Sequence, residues 1–242
     1  IGMKTGSIDS AFWCICFHQE CSICTGAPLK SLLEDLKTFT RQMGDCNAKK
    51  QLLLLRFTQS ALTKLVDPNH EGSNEECLTT IFKKEGEEAM AVAFPMWQMH
   101  ACCFLREHKK VADMSLEWWA KIMKILPAQV NRIKTSFVGA LSCMALLRPD
   151  TKNSKKKKHM KHAQECYAKI QSWTRKRCPN SVIHEALLDA EWMAVRKELS
   201  LARKNYETAA LLAGRRGFAH LQALSNERFA MHLREIGDNH EA

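Results

Sequence analysis

The spacing of apolar residues restricts the fold of this chain more than any other feature. In residues 29–43, LKSLLEDLKTFTRQM, four leucines and Phe39 recur at helical intervals and therefore lie on one side of an amphipathic helix. Segments with similar helical character follow one another at about 7–25, 46–66, 76–85, 87–106, 109–125, from Pro127 to near 147, 156–176, 181–197, 200–215 and 218–236. Short turns rich in Gly, Pro or polar residues separate them. The pattern predicts roughly eleven antiparallel helices.

The composition agrees with an all-α fold. Only 10 Gly, 6 Pro and 2 Tyr occur in 242 residues, whereas the frequent Leu, Ala, Lys, Glu and Met are good helix formers. We therefore expect an array of antiparallel helix pairs, an α-solenoid of the tetratricopeptide-like kind. Because no stretch of about 18 uninterrupted apolar residues exists, we expect no membrane span. The N-terminus lacks a signal-peptide pattern and begins with Ile, so we expect a piece of a longer protein. Because its cysteines favour reduced thiols, we expect this protein to be cytoplasmic.

A degenerate repeat supports the array. An alanine followed four residues later by a large side chain occurs early in three helices, at Ala112/Leu116, Ala163/Tyr167 and Ala202/Tyr206. The small alanine lets neighbouring helices approach, and the large side chain fills the gap beside it. The motif begins again at 237–242, with Ala242 forty residues after Ala202.

The C-terminal third resembles the tetratricopeptide-like helical region of large signalling ATPases. The residues that carry the resemblance are Pro179, Asn180, His184, Leu188, Ala190, Glu191, Ala202, Tyr206, Ala210, Ala213, Gly217, Phe218, Ala223, Leu224, Glu227 and Gly237. Near the N-terminus, Gly6, Ala11, Gly26, Leu29 and Leu33 fit the start of the same region. Two departures are Glu198, where the family usually has Gly, and the heavy basic run at 155–158.

In that family the region follows a STAND/AAA-like ATPase and lies near histidine kinase, protein kinase or cyclase domains. The resemblance implies a non-catalytic protein-interaction and signal-transmission scaffold, whose partner is a peptide or a neighbouring domain of the same chain. We find no P-loop, kinase or cyclase motif in this sequence. The expected organisation is N-terminal helical repeats over 1–147, a basic linker over 148–158 and C-terminal tetratricopeptide-like repeats over 159–242, continuous with the first part and truncated at the end.

Eleven cysteines occur, and their odd number and helical positions favour reduced thiols. The segment WCICFHQECSIC, residues 13–24, places Cys14, His18 and Cys21 within about 60° on a helix. Three ligands are one fewer than a structural zinc needs. We therefore expect core packing for these cysteines, with metal binding or redox chemistry as the alternatives, and we assign no metal or cofactor residue.

Positive charge is concentrated in one segment. The chain has a net charge of +10, and residues 148–178 contain eleven Lys and Arg against two acidic residues. Candidate contacts to an anion or nucleic acid are Lys155, Lys156, Lys157, Lys158, Lys161, Arg175, Lys176 and Arg177. One alternative is a segment that binds nucleic acid or an acidic partner. The other is a solvated loop followed by a helix start, which the lack of interleaved aromatic residues for base stacking favours.

The remaining polar motifs do not predict catalysis. Asp189 and Glu191 form an acidic pair that we expect on a solvated helix surface. His100 with Cys102 and Cys103 lies in one of the most apolar segments, so we expect these residues in a helix core. No combination of nucleophile, base and orienting group is evident, and we predict no catalytic residue.

Overall fold

The computed structural model describes residues 7–69, 88–126, 131–148 and 153–237. Within these ranges the chain is all-α, which confirms this part of the predicted fold, and it contains ten helices and no strand. The helices are α1 (Ile8–Thr25), α2 (Leu29–Asp45), α3 (Lys49–Val66), α4 (Glu88–Phe104), α5 (His108–Ile125), α6 (Asn131–Ala145), α7 (Lys156–Arg175), α8 (Ser181–Val195), α9 (Leu199–Arg215) and α10 (Ala219–Glu235). The helix expected at 76–85 and most of the repeat expected at 237–242 lie outside the described residues.

The chain forms two compact units. Unit 1 contains residues 1–105 and 120–132, and unit 2 contains residues 106–119 and 133–242. Helix α7 begins at Lys156, so the last three residues of the expected linker are helical.

Unit 1 is built around one apolar cluster that α1, α2 and α3 share. Its buried members are Phe12, Cys16, Leu32, Leu36, Met43, Leu55 and Leu62. The predicted stripe of α2 is confirmed, since Leu32 and Leu36 are buried and the other three residues of the stripe pack against the cluster. In contrast, α1 buries only Phe12, Cys16 and Gln19, which lie at i, i+4 and i+7 on one side of the helix.

Unit 2 packs its helices through small residues. In α9 the buried side consists of Ala202, Tyr206, Ala209 and Ala213. Alanines bring helix axes close together, and the ring of Tyr206 fills the space that remains. Ala112 and Ala163 are also fully buried, as the repeat predicts. The prediction is wrong for Leu116, which is 38% exposed and fills no gap.

One turn geometry ends successive helices of unit 2. From α7 onward the residues with positive φ are Arg177, Lys197, Gly217 and Gly237, one every twenty residues, whereas Arg106 has positive φ outside this series. At the first three of these turns the following N–H donates to the carbonyl five residues earlier, at 3.0 Å, 2.9 Å and 2.9 Å. This is the Schellman motif, in which a left-handed residue closes the helix. The chain therefore reverses direction by the same device at a constant interval.

Two of these left-handed positions are occupied by Arg177 and Lys197, although glycine is the favoured residue there. Substitution of either by glycine should therefore stabilise the fold. Lys197 has φ of +64°, and a left-handed conformation costs a side-chain-bearing residue about 1–2 kcal/mol. We expect Lys197→Gly to raise the free energy of unfolding by about 0.5–1 kcal/mol, because the greater freedom of glycine in the unfolded chain offsets part of the gain. Urea denaturation followed by circular dichroism measures the change.

Gly217→Ala is the reciprocal control. A Cβ at Gly217 meets nothing within 4 Å, so only the backbone conformation opposes alanine there. We expect a loss of about 1 kcal/mol. Equal stabilities for Lys197→Gly and the wild type would contradict the expected gain and show that any relief of backbone strain does not exceed the entropic cost of glycine.

No helix among the described residues combines the length and the apolar character needed to cross a membrane.

Candidate functional site

The basic residues that the sequence singled out do not form one patch. All eight are exposed, from Lys155 at the N-terminus of α7 to Arg177 just beyond its C-terminus. An α-helix rises about 1.5 Å per residue, so Lys158 and Arg175 are separated by about 26 Å along the axis. The structure therefore presents two groups: the N-terminal basic group, Lys155–Lys158 with Lys161, and the C-terminal basic group, Arg175–Arg177.

The N-terminal basic group lies where the helix dipole opposes it. The first turn of α7 contains no acidic residue, and its backbone N–H groups already give that end a partial positive charge. Acidic neighbours offset this only in part, since the Lys155 Nζ lies 2.5 Å from Asp113 Oδ1 and the Lys161 Nζ lies 3.9 Å from Glu165 Oε1. The lysine side chains add to the partial positive charge of the helix N-terminus, so this end of α7 favours the binding of an anion.

The cysteine-rich segment of α1 differs from its predicted role. Cys16 is buried as expected, and burial together with the negative charge of Glu20 raises its pKa to about 12. Cys14 and Cys21 are exposed, and His18 lies with them on the exposed side. The expectation of core packing is thus wrong for these two thiols. Within the described ranges no group of three or more His, Cys, Asp or Glu residues has a metal-binding arrangement.

A groove opens beside the buried side of α1 in unit 1. It encloses about 570 Å³, including the solvent at its open side. Its lining residues come from α1, α3, α4 and the residue that follows α5: Trp13, Cys16, Phe17, Glu20, Leu54, Leu55, Thr58, Ala93, Met96, Trp97 and Leu126. The walls are mainly aliphatic and aromatic, and Glu20 is the only charged side chain among them.

The most extensive polar cluster is buried in unit 2 around Glu191 of α8. Arg228 of α10 donates to this carboxylate through two nitrogens, Nε to Oε1 at 2.7 Å and Nη2 to Oε2 at 2.8 Å. Arg148, which follows α6, donates to Oε2 at 3.0 Å, and the Tyr206 hydroxyl donates to Oε1 at 2.8 Å. Glu191 has no exposed surface and both arginines are at most 6% exposed. One carboxylate thus connects three helices and the end of a fourth.

Two carboxylates balance the two guanidiniums of this cluster, and all of these groups except Glu235 are buried. Burial by itself would raise the pKa of Glu191, but the guanidiniums of Arg228 and Arg148 hold it well below its ordinary value of 4.5. Burial opposes the charge of each arginine, and the carboxylate nevertheless keeps both guanidinium pKa values above their usual range. Arg148 also pairs with Glu235, which supplies the second negative charge. A buried carboxylate with this bidentate geometry is a structural connector.

The interpretation of Asp189 and Glu191 as solvated surface is wrong for Glu191. Asp189 is half-buried and accepts a hydrogen bond from the Tyr167 hydroxyl, while Glu191 is fully enclosed. A signal for this was present, because Glu191 lies three and four residues after the buried Leu188 and Leu187. The helical period placed the carboxylate on the buried side of α8.

A second buried cluster brings together groups that serve as nucleophile and base in some enzymes. Ser115 Oγ lies 2.8 Å from His162 Nε2, and Cys166 Sγ lies 3.5 Å from the same nitrogen. Ser115 and Cys166 have no exposed surface, and burial raises the pKa of Cys166 well above its ordinary value. A substrate has no path to either atom. The cluster connects α5 and α7 and is suited to packing. His100, Cys102 and Cys103 are likewise buried in α4, as predicted.

Burial of His184 predicts that unit 2 loses stability in mild acid. Its Nδ1 donates to the Asn180 carbonyl at 2.7 Å, and its ring contacts Phe137 edge-on. Burial lowers its pKa from 6.5 to about 4. Between these values the unfolded chain binds a proton that the folded chain does not, so stability is retained above pH 6.5 and falls as the pH drops toward 4.

We expect His184 to account for a loss of about 2 kcal/mol between pH 7.5 and pH 5. Urea unfolding at both pH values, compared with His184→Gln, isolates this contribution, because the variant lacks the titrating ring. His18→Gln, on the exposed side of α1, is the matched control for the substitution itself. An equal loss of stability in wild type and His184→Gln would contradict the assignment.

Comparisons with protein-family models, with curated proteins and with solved structures give no match to this chain.

Proposed function

We propose that this chain is a non-catalytic protein-interaction and signal-transmission scaffold. It is a tetratricopeptide-like α-solenoid within a larger signalling ATPase, and it binds a peptide or a neighbouring domain of the same polypeptide. The observation that carries the proposal is the recurrence of one left-handed turn at residues 177, 197, 217 and 237. A constant interval between identical turns is the structural counterpart of a sequence repeat.

The interval defines the size of the repeating unit. Two helices and two turns take forty residues, which is longer than the about 34 residues of an ordinary tetratricopeptide repeat and near the lower end of HEAT-type repeats. Contacts run between consecutive helices, α7 with α8, α8 with α9 and α9 with α10. In repeat arrays each unit packs mainly on its neighbours, and the stacked helices leave an extended surface for a partner.

The Glu191 cluster supports the transmission of a signal through unit 2. It connects Arg148 at the end of α6 to α8, α9 and α10 through charge-assisted hydrogen bonds. Closely packed helices joined in this way move together, because separating them would leave buried charges without partners. A displacement at one end of the array would thus be carried along it.

The groove of unit 1 is the surface best suited to bind a partner. Its walls combine aromatic and aliphatic side chains, among them Trp13 and the half-buried Leu54, with one carboxylate at Glu20. Peptide-binding grooves commonly have this composition, with apolar anchors for affinity and few polar groups for orientation.

Isothermal titration of the chain against the adjacent domains of its parent polypeptide tests the proposal. We expect one of them to bind, Leu54→Gln in the groove to weaken that binding, and Leu211→Gln to leave it unchanged. Leu211 is 52% exposed on α9 in unit 2 and is the matched apolar-to-polar control. Absence of binding to every adjacent domain would contradict the scaffold function.

A second candidate, a nucleic-acid-binding or acidic-partner-binding protein, is favoured by the exposure of the N-terminal basic group on α7. If these lysines neutralise phosphates, changing Lys155–Lys158 to Gln should weaken binding to single-stranded nucleic acid. The slope of log affinity against log salt concentration should become shallower by about 3, since each phosphate contact contributes about 0.7.

Gel shifts across a salt series measure this slope. The control changes four exposed lysines of unit 1 to Gln, Lys30, Lys37, Lys49 and Lys50, and thus removes the same charge elsewhere. Equal slopes for the two variants would assign any binding to net charge alone and reject the site on α7.

A further inference from the structure

The exposed side of α1 carries no acidic or basic residue other than histidine from Ser10 onward. The exposed residues over this part of the helix are Ser10, Cys14, Phe17, His18, Cys21 and Thr25. Phe17 is 51% exposed. The exposed side of α2, by comparison, includes Lys30, Glu34 and Lys37. Helix sides that face water normally carry charge, so this side of α1 has the composition of a contact surface.

The order of these residues reads the same from either end. From the N-terminus it runs hydroxyl, thiol, two aromatic rings, thiol, hydroxyl, with its centre between Phe17 and His18. Cys14 and Cys21 lie equally far from this centre. A two-fold symmetric interface uses one patch twice, so the patch must be complementary to itself. Two α1 helices paired antiparallel about this centre place every residue opposite one of its own kind.

We propose that the exposed side of α1 is a self-association surface whose occupant is a second copy of this chain. The two α1 helices pack antiparallel, with Cys14 of each copy facing Cys21 of the other. Because this side carries no Lys, Arg, Asp or Glu, the pairing buries none of these charges and places none of them opposite a like charge. This inference does not rest on the proposed scaffold function, but Phe17 also lines the groove of unit 1, so a second copy and a groove-binding partner would compete for this residue.

The size of the surface sets the expected strength of the dimer. Helix α1 has 18 residues and is therefore about 27 Å long. One side of a helix of this length can bury less surface than a standard interface, which buries about 800 Å² per partner. We therefore expect a weak, reversible dimer that forms as the protein concentration rises and that a covalent bond can trap.

The two exposed thiols make the antiparallel arrangement measurable. Within one copy Cys14 and Cys21 are about 10.5 Å apart along the helix axis, and a disulfide requires Cα atoms about 4.4–6.8 Å apart. A Cys14–Cys21 bond therefore forms only between two copies. Oxidised glutathione is a suitable oxidant: the two protein thiols form one disulfide, and the small-molecule disulfide takes up their two electrons and two protons to become two glutathione thiols.

The experiment combines light scattering with disulfide trapping. Size-exclusion chromatography with light scattering should show the mass of the wild-type chain rising with concentration. After oxidised glutathione treatment, mass spectrometry should find peptides that join Cys14 to Cys21. Cys46, an exposed thiol at the end of α2, is the internal control, since Cys46→Ser should cross-link as well as wild type. A variant with Cys14→Ser and Cys21→Ser should lose the trapped dimer.

Phe17→Glu tests the surface without removing a thiol. A carboxylate at the centre of the pairing should reduce the trapped dimer about tenfold, while the circular dichroism spectrum stays that of wild type because Phe17 is exposed. A monomer at every concentration with no trapped dimer would overturn the proposal. Cross-links that join Cys14 to Cys14, or equal trapping in wild type and Phe17→Glu, would also overturn it.

Discussion

Substitution Glu191→Ala should lower the free energy of unfolding of unit 2 by about 3–5 kcal/mol. The change leaves the guanidiniums of Arg148 and Arg228 in the core without the carboxylate that both contact. Removing one partner of a buried ion pair is among the most destabilising single changes, because Arg228 loses the carboxylate that neutralises it in the core and Arg148 keeps only Glu235. Guanidinium chloride unfolding, followed by circular dichroism at pH 7, measures the loss.

Two comparisons test whether the loss of stability in Glu191→Ala comes from unpaired buried charge. Glu207→Ala breaks the exposed pair with Arg203 on α9 and should cost at most about 0.5 kcal/mol. Replacing Glu191 and both arginines by leucine and methionines should recover much of the loss, because apolar side chains of similar volume need no partner. If Glu191→Ala unfolds at the same denaturant concentration as Glu207→Ala, the carboxylate does not hold these helices together.

The effect of acid on this cluster has a defined sign. The pKa of Glu191 is lower in the folded chain than its ordinary value of 4.5, because two guanidiniums favour the carboxylate. Its stabilising contribution is therefore complete above about pH 4.5 and is lost as the pH falls through the folded-state pKa. This acid range lies below that of His184, so the two contributions separate in a pH series of unfolding measurements.

The helices were predictable because their signal is local. The period of apolar residues depends only on neighbours within two turns, and the described helices begin and end close to the predicted bounds. The turn at Lys197 was not predicted, since lysine gives no local sign of positive φ. Its regular spacing from Gly217 is visible only once the backbone is known.

The clusters were harder to predict because their partners are distant in the sequence. Glu191 lies 43 residues from Arg148 and 37 from Arg228, and nothing local pairs them. The exposure of Cys14 was missed for a different reason. Helix α1 carries apolar residues and thiols on most sides, so the period does not show which side is buried. Only packing against α2 and α3 decides that Cys16 faces inward.

Gly139 of α6 should tolerate no side chain. A Cβ built there lies 2.3 Å from Ser115 Oγ and 3.3 Å from Ser115 Cβ, with Cys166 Sγ at 3.5 Å. The first distance is far below van der Waals contact, and Ser115 cannot simply rotate away, because its hydroxyl is hydrogen-bonded to His162 in a closed core. Forcing an atom into such packing typically costs about 1–3 kcal/mol. We expect Gly139→Ala to be destabilising by about 2–3 kcal/mol, despite the higher helix propensity of alanine.

A double-mutant cycle distinguishes this clash from a general intolerance of alanine in α6. Ser115→Gly removes both atoms that a Cβ at position 139 would meet most closely, so Gly139→Ala should cost much less in that background, with a coupling of about 1–2 kcal/mol. Gly44→Ala is the matched control near the end of α2, where a Cβ meets nothing within 4 Å. There the propensity of alanine should act alone and raise stability by up to about 1 kcal/mol. Thermal unfolding of the four members of the cycle and of the control would show whether α5, α6 and α7 approach as closely as Gly139 permits, and an additive cycle would show that they do not.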